Sequence, residues 1–275
     1  MKKEHFFLRI LQGALIGLGA VLPGISGGVL SVIFGIYKPV MELLANPLRN
    51  FKTHVPKLLP VILGFVIGFL GIANVLAFVL EKYPAPSVCL FVGLIGGMIP
   101  SLFKEAGEKG RTKGSYFSLF LAMVIIFTLL FSLNAASITI TPSFLWYLFC
   151  GFCLALSIIA PGMSFSTLLM PLGLYTPFVD GIGHLSFGVL IPGGIGALLT
   201  FACLPRFVNS LFEHHYSKAF HAIVGIVIAA TVMILPFDSF LVSERSCLIN
   251  IFFLAAGVVI ALLLDKFNKT LYPQR

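Results

Sequence analysis

The residues of this chain that could do chemistry lie in two short interruptions of apolar sequence. The first is Pro23-Gly24-Ile25-Ser26-Gly27-Gly28, inside an apolar run from Phe6 to Tyr37. The second is Pro161-Gly162-Met163-Ser164-Phe165-Ser166, followed by Thr167. Proline and glycine in mid-segment break a helix, and the turn that restarts it carries amides with no intrahelical partner. Such amides, with the positive end of a helix dipole behind them, attract an anion. The hydroxyls of Ser26, Ser164, Ser166 and Thr167 add donors. Gly24, Gly27, Gly28 and Gly162 let an oxyanion approach the backbone. The plainer reading is that each Pro-Gly-x-Ser merely lets a hairpin pack tightly, its serine capping the restarted helix. That the motif occurs twice favours the anion site.

The charges near these interruptions are sparse. No Lys, Arg, Asp or Glu lies within ten residues of either proline. Candidate accessory groups are therefore remote. Gln12 sits in the first apolar arm, where a helix–helix hydrogen bond is the simpler role. Arg9 precedes Pro23 by 14 residues, about 21 Å of helix, which suits a side chain snorkelling at an entrance. Arg206, after Pro205, can donate a cation across an interface or simply be solvated. Glu81 and Glu213 can relay protons or be plain interfacial carboxylates. Anion binding by dipoles and hydroxyls alone is weak, which suits release of a cargo. Cleavage of a phosphoanhydride needs an acid/base or nucleophile beside clustered cations or metal, and neither interruption supplies them. His214, His215 and His221 lack carboxylate company, so no metal site or cofactor is expected. The Cys150–Cys153 spacing lies in apolar sequence and reads as two small hydrophobes.

The elements that must position these residues belong to a membrane. Of 275 residues 59% are hydrophobic and 10% charged, with mean hydropathy +1.06, more apolar surface than a water-soluble domain can bury. No window reads as a cleaved signal peptide. The net charge of +8 is explained by basic cytoplasmic loops rather than by nucleic acid.

The chain is an internal duplication. With the two prolines aligned, Gly13 matches Gly151, Gly35 matches Gly173, Tyr37 matches Tyr175 and Pro39 matches Pro177. Further on, at an offset six residues shorter, Pro60 matches Pro192, Gly64 matches Gly196, Glu81 matches Glu213 and Gly93 matches Gly225. The first repeat covers 1–138, with a hairpin at 7–37 and spans near 58–80, 88–103 and 116–133. The second covers 139–275, with a hairpin at 144–175 and spans near 187–204, 219–235 and 247–264. If both interrupted segments are re-entrant hairpins, 16 of the 18 basic residues fall on one side, leaving only Lys82 and Arg245 opposite. If both cross, the split is even. The positive-inside bias selects the hairpins. Three spans per half then invert the second half, and both termini are cytoplasmic. The expected fold is an all-α membrane protein, an inverted repeat of two halves, each one re-entrant helical hairpin plus three transmembrane helices. An arm from Phe7 to Leu22 spans about 24 Å, enough to reach the middle of a core of about 30 Å.

At these residues the sequence resembles the bacterial polyprenyl-phosphate transporter family (PopT type). The likeness rests on Gly13-x-x-x-Gly17, Pro23-Gly24-Ile25-Ser26-Gly27-Gly28 and Gly35-Ile36-Tyr37, on the echo Pro161-Gly162-Met163-Ser164 and Gly173-Leu174-Tyr175, and on Gly93-Leu94-Ile95-Gly96-Gly97-Met98-Ile99-Pro100. It covers essentially the whole chain. The chain departs from the family pattern at Ala20, Val29 and Phe165, where Asp or Asn, Thr and Gly are usual. The resemblance implies a flippase that moves undecaprenyl phosphate from the outer to the inner leaflet of the bacterial plasma membrane, recycling the lipid carrier of cell-wall peptidoglycan synthesis. Its expected partners are that lipid, the surrounding membrane lipids and a coupling proton or cation, with no nucleic acid. Two alternatives stand beside it. A membrane undecaprenyl-pyrophosphate phosphatase would carry Arg after the motif serine and a glutamate pair in an arm, where this chain has Gly27, Phe165 and no Glu. An ion-coupled carrier of a small anion would ignore polyprenyl phosphate.

The hairpin topology has a direct test. Thiol-reactive labelling of Thr176→Cys and Lys52→Cys variants in sealed vesicles should reach the two positions from opposite faces. Labelling of both from one face would break the topology.

Overall fold

In the computed structural model, which describes residues 3–22, 27–45, 47–135, 140–160 and 164–271, every regular element among the described residues is helical. In the first half, α1 (Lys3–Val21) and α2 (Gly27–Ile33) flank the first interruption. They are followed by α3 (Tyr37–Ala45), α4 (Pro47–Lys82), α5 (Pro84–Ala106) and α6 (Lys113–Ala135). In the second half, α7 (Phe144–Ile159) and α8 (Phe165–Leu169) flank the second interruption. A 3-10 turn (Met170–Leu172), α9 (Tyr175–Gly183), α10 (Phe187–Ile234), α11 (Phe237–Leu241) and α12 (Glu244–Leu271) follow.

Six helical stretches among the described residues are long and apolar enough to cross a bilayer: Arg49–Lys82, Pro84–Ala106, Lys113–Leu133, Phe187–Val208, Ser210–Ile234 and Glu244–Lys266. They coincide with the six spans expected from hydropathy. The apolar helices Phe6–Val21 and Phe144–Ile159 are shorter. Large side chains such as Phe117, Phe120 and Phe131 on α6 are exposed, a surface that only lipid covers without cost. The protein is a multi-pass membrane protein.

The fourth and fifth spans are joined without an intervening loop: α10 is two helices that meet at a kink at His215, whose backbone leaves helical geometry (φ −133°, ψ 34°).

The helices group into two units. The first comprises Met1–Ala77, Pro142–Leu169 and Leu174–Ser210, and so holds both interruptions. Within it the arms pack on the first span of their own half through glycines. A Cβ on Gly13 would lie 2.0 Å from the Val61 carbonyl oxygen, and one on Gly64 would lie 1.9 Å from that of Ile10. The matched positions repeat the arrangement. A Cβ on Gly151 would lie 1.9 Å from the Gly193 oxygen, and one on Gly196 would lie 1.9 Å from the Leu148 oxygen. Backbone meets backbone at α1–α4 and again at α7–α10, a proximity that only residues without a side chain allow. Ile16, Ile36, Leu58 and Val61 form a small core beside the first of these contacts.

The second unit comprises Phe78–Thr141, Met170–Gly173 and Leu211–Arg275. There α5 packs on α12, where a Cβ on Gly93 would lie 2.1 Å from the Leu254 oxygen. The later part of α10 packs on α6, where a Cβ on Gly225 would lie 2.2 Å from the Leu119 oxygen. Gly93 and Gly225 are matched, so each half's second span leans on the third span of the other half. Leu102, Ala106, Phe220 and Val224 are buried together nearby.

These contacts predict a sharp contrast between glycines. Gly151→Ala should lower the thermal stability of the detergent-purified protein by about 1–3 kcal/mol, because two backbones must part. Gly194→Ala, whose new methyl meets nothing within 4 Å, should be neutral or slightly stabilising. Equal melting temperatures for both variants would refute the backbone contact.

Candidate functional site

Each arm stops two residues before its proline, α1 at Val21 and α7 at Ile159. Pro23, Gly24, Ile25 and Ser26, and likewise Pro161, Gly162 and Met163, lie outside the described residues. The sequence-derived candidates Gly24, Ser26 and Gly162 are therefore not placed. The remaining candidates are.

On the first side, Gly27 and Gly28 open α2 and are both buried. A Cβ on Gly27 would come within 2.9 Å of the Ile16 oxygen and 3.0 Å of the Ala20 Cβ, so α2 folds tightly back on α1. The Ser31 hydroxyl donates to the Gly28 carbonyl at 2.6 Å.

On the second side, Ser164, Ser166 and Thr167 are brought together and buried. The Thr167 hydroxyl donates to the Ser164 carbonyl at 2.6 Å and is thereby committed to local structure. The Ser164 and Ser166 hydroxyls lie 2.7 Å apart. Two hydroxyls carry two protons and one bond between them uses one, so the pair can still donate to an incoming acceptor. Phe165 stands where the first half has Gly27. Its ring is fully buried, 6.4 Å from Phe69, 5.7 Å from Tyr175 and 6.2 Å from Phe178 between centroids. The two interruptions are therefore chemically unequal, one lined by bare glycine and the other filled by an aromatic.

Two residues that sequence reasoning used only as repeat markers turn out to join the two interruptions. The Tyr37 hydroxyl donates to the carbonyl of Ile159 at 2.9 Å, and the Tyr175 hydroxyl donates to that of Val21 at 2.5 Å. The tyrosines are matched and so are the carbonyls. Each half thus caps the arm end of the other. A helix end has carbonyls with no amide ahead of them, and a chain broken at a proline cannot supply one. Both tyrosines are delivered by the same turn. Gly35 and Gly173 take left-handed φ values of 66° and 69°, which glycine adopts without strain. The amides of Ile36 and Leu174 then reach back to the carbonyls of Ser31 and Leu169 at 2.8 and 3.1 Å. This is the hydrogen-bond pattern of a glycine-terminated helix, and it reverses the chain into α3 or α9 with tyrosine at its first position. The signal was in the sequence as Gly-x-Tyr at matched positions; the bond partners were not.

The accessory candidates are scattered. Gln12 is half-buried on α1, and its side-chain oxygen is buried without a protein partner. Arg9 is half-buried three residues earlier, and Arg206 is exposed on α10. Cys150 and Cys153 are fully buried free thiols, and Glu81 and Glu213 are exposed. The arrangement as a whole offers hydroxyl donors and close-packed backbone at two arm ends and, among the described residues, no group of His, Cys, Asp and Glu that could hold a metal.

The comparisons with known proteins agree with this setting. A family model described as undecaprenyl phosphate translocase-like matches residues 16–251, and the chain belongs to that family. A curated relative from Staphylococcus aureus, named polyprenyl-phosphate transporter, is 25% identical over 248 residues, which cover 85% of this chain and 88% of the relative. One from Vibrio cholerae with the same name is 20% identical over 249 residues, covering 86% and 79%. No solved structure matches the chain significantly.

The inequality of the two interruptions gives a stability prediction. Phe165→Ala should cost about 3–5 kcal/mol, read as a large drop in melting temperature, because it empties the contact between three aromatic rings. A drop no larger than that of a surface substitution would mean that the ring does not hold the second interruption together.

Proposed function

We propose that this protein is a flippase that carries undecaprenyl phosphate from the outer to the inner leaflet of the bacterial plasma membrane, returning the lipid carrier to cell-wall synthesis. Membership of the family and the printed names of the two relatives support the substrate class. The observation that carries the reading is the crossed pair of bonds, Tyr37 to Ile159 and Tyr175 to Val21. When residue i of one copy meets residue j of the other and the reverse also holds, the copies are related by a two-fold axis. Together with the one-sided basic residues, this favours an inverted repeat, with two re-entrant hairpins whose tips face each other. The short apolar arms fit that topology. Phe6–Val21 and Phe144–Ile159 span about 24 Å each, enough to pass the midplane and too short to cross.

In this reading the phosphate rests between the tips, on the backbone of Gly24, Gly27, Gly28 and Gly162 and the hydroxyls of Ser26, Ser164 and Ser166, with Thr167 shaping the turn. The isoprenoid stays in the bilayer against the exposed apolar faces of the spans. Holding the anion without a fixed countercharge keeps binding loose enough for release. Phe165, buried among rings, occupies the position after Ser164 where hydrolytic chemistry would want a cation.

The deciding experiment is translocation of labelled undecaprenyl phosphate in proteoliposomes. Ser26→Ala and Ser164→Ala should each slow it by about tenfold, the scale of one lost buried donor. Equal rates in all three proteins would remove the tips from the mechanism. Release of inorganic phosphate by the purified protein would point to a phosphatase instead.

A further inference from the structure

Three turns among the described residues end a helix with the same backward hydrogen bond, and one of them departs from the pattern of the other two. The amides of Ile36, Leu174 and Ser186 each donate five residues back, to Ser31, Leu169 and Gly181, at 2.8, 3.1 and 2.8 Å. In the first two the left-handed residue is glycine, Gly35 or Gly173, and the apolar residue after it turns inward, Ile36 at 2% exposure and Leu174 at 0%. In the third, which joins α9 to α10, the left-handed residue is Leu185 (φ 54°), the sole non-glycine with positive φ among the described residues. Its side chain is 56% exposed, and the residue after it is an exposed serine. We propose that the α9–α10 turn is a lipid anchor, with Leu185 and Phe187 seated among the hydrocarbon chains of one leaflet. The inference needs only that α10 enters the bilayer at Phe187 and stands apart from the carrier reading.

The choice of leucine is the first argument. A left-handed backbone crowds the Cβ of any residue but glycine, so leucine strains a turn that glycine would make freely. In water an exposed leucine gives nothing back for that strain. Against lipid chains it does, because its apolar surface leaves water. Continuity is the second argument. Phe187, Ile191, Ile195 and Leu198 are exposed at helical spacing along the lipid-facing span that begins at Phe187, and Leu185 lies two residues before that stripe starts. The turn is also held rigid. Asn74 on α4 donates from Nδ2 to the Gly183 carbonyl at 3.1 Å, and the Ser186 carbonyl receives the Val189 and Leu190 amides at 3.0 and 2.8 Å. A Cβ on Gly181 would lie 2.4 Å from Val189 Cγ2, so α9 presses directly on the start of α10. Polar groups flank the apolar pair. The His184 ring stands 3.1 Å from the Asp180 carboxylate, and both are exposed. An apolar edge beside an exposed polar pair suits the boundary between headgroups and hydrocarbon. The other end of α9 is Tyr175, whose hydroxyl holds the Val21 carbonyl, so an anchor at the turn fixes the height of that bond in the membrane.

Tryptophan fluorescence in phospholipid nanodiscs tests the anchor. Trp146→Phe removes the chain's one tryptophan and serves as the background. On it, Leu185→Trp and Phe187→Trp should each lose fluorescence to lipids brominated along their acyl chains and stay shielded from aqueous iodide. Bromine near the glycerol end should quench Leu185→Trp more than bromine near the terminal methyl, because the turn lies at the end of a span. Adding Leu185→Ala to the Phe187→Trp protein keeps a strained left-handed residue but removes the leucine chain. The turn should then rise toward water, with more quenching by iodide and less by brominated lipid. Quenching of Leu185→Trp by iodide without a response to brominated lipid would overturn the proposal. So would insensitivity to both quenchers, which would mean that a second copy or another protein covers the turn. A Phe187→Trp signal unchanged by Leu185→Ala would remove Leu185 from the anchor and likewise overturn it. Should Leu185→Trp fail to fold, the Phe187→Trp pair decides alone.

Discussion

The constraint on which this structure turns is that a polypeptide in hydrocarbon cannot leave its backbone polar groups unpaired. Each unsatisfied amide or carbonyl costs several kcal/mol there, which is why spanning segments are regular helices and irregular backbone survives only where protein or a polar cavity covers it. The chain ends α1 at Val21 and α7 at Ile159, each two residues before a Pro-Gly, and then has to satisfy what those ends expose. Hydroxyls do much of this work. Ser31 takes the Gly28 carbonyl, Thr167 that of Ser164, and the two tyrosines take the arm ends. Each arm end is thus satisfied in part by a tyrosine from the other half of the chain.

Close packing of backbone on backbone follows from the same constraint. With lipid as solvent there is no hydrophobic drive to join helices, and dispersion at short range must hold them. Gly13, Gly64, Gly151 and Gly196 bring their helices close enough for that. They also place the arms at a fixed height on α4 and α10, so the breaks are held by rigid helices rather than by loops. The dense contact on the inner faces contrasts with α6, whose phenylalanines are left to the bilayer.

Much of this was legible in the sequence because membrane helices announce themselves by length and hydropathy, and because glycines recur at matched positions in the two halves of the chain. Gly64 and Gly196 each meet the carbonyl oxygen of an arm residue, and Gly35 and Gly173 take the same left-handed turn, so these matched positions carry equivalent structural duties. What stayed hidden depends on distance along the chain. Tyr37 finds a partner 122 residues away and Tyr175 one 154 residues away, and no periodicity in a single sequence encodes that. Phe165 was visible as a departure from the family pattern, but only its buried place among Phe69, Tyr175 and Phe178 shows that it fills space rather than merely replacing a glycine.

The substitution of a ring for a hydrogen between Gly27 and Phe165 has a thermodynamic corollary. In the carrier proposed above, tips that differ so much would not hold a headgroup equally, so its two loaded access states would differ in free energy. Detailed balance forbids that bias from driving net flow, since whatever it adds to loading on one face it removes from unloading on the other. Under the proposed function, lopsided tips would set the tempo of the cycle, and the direction of travel would follow the lipid's own gradient.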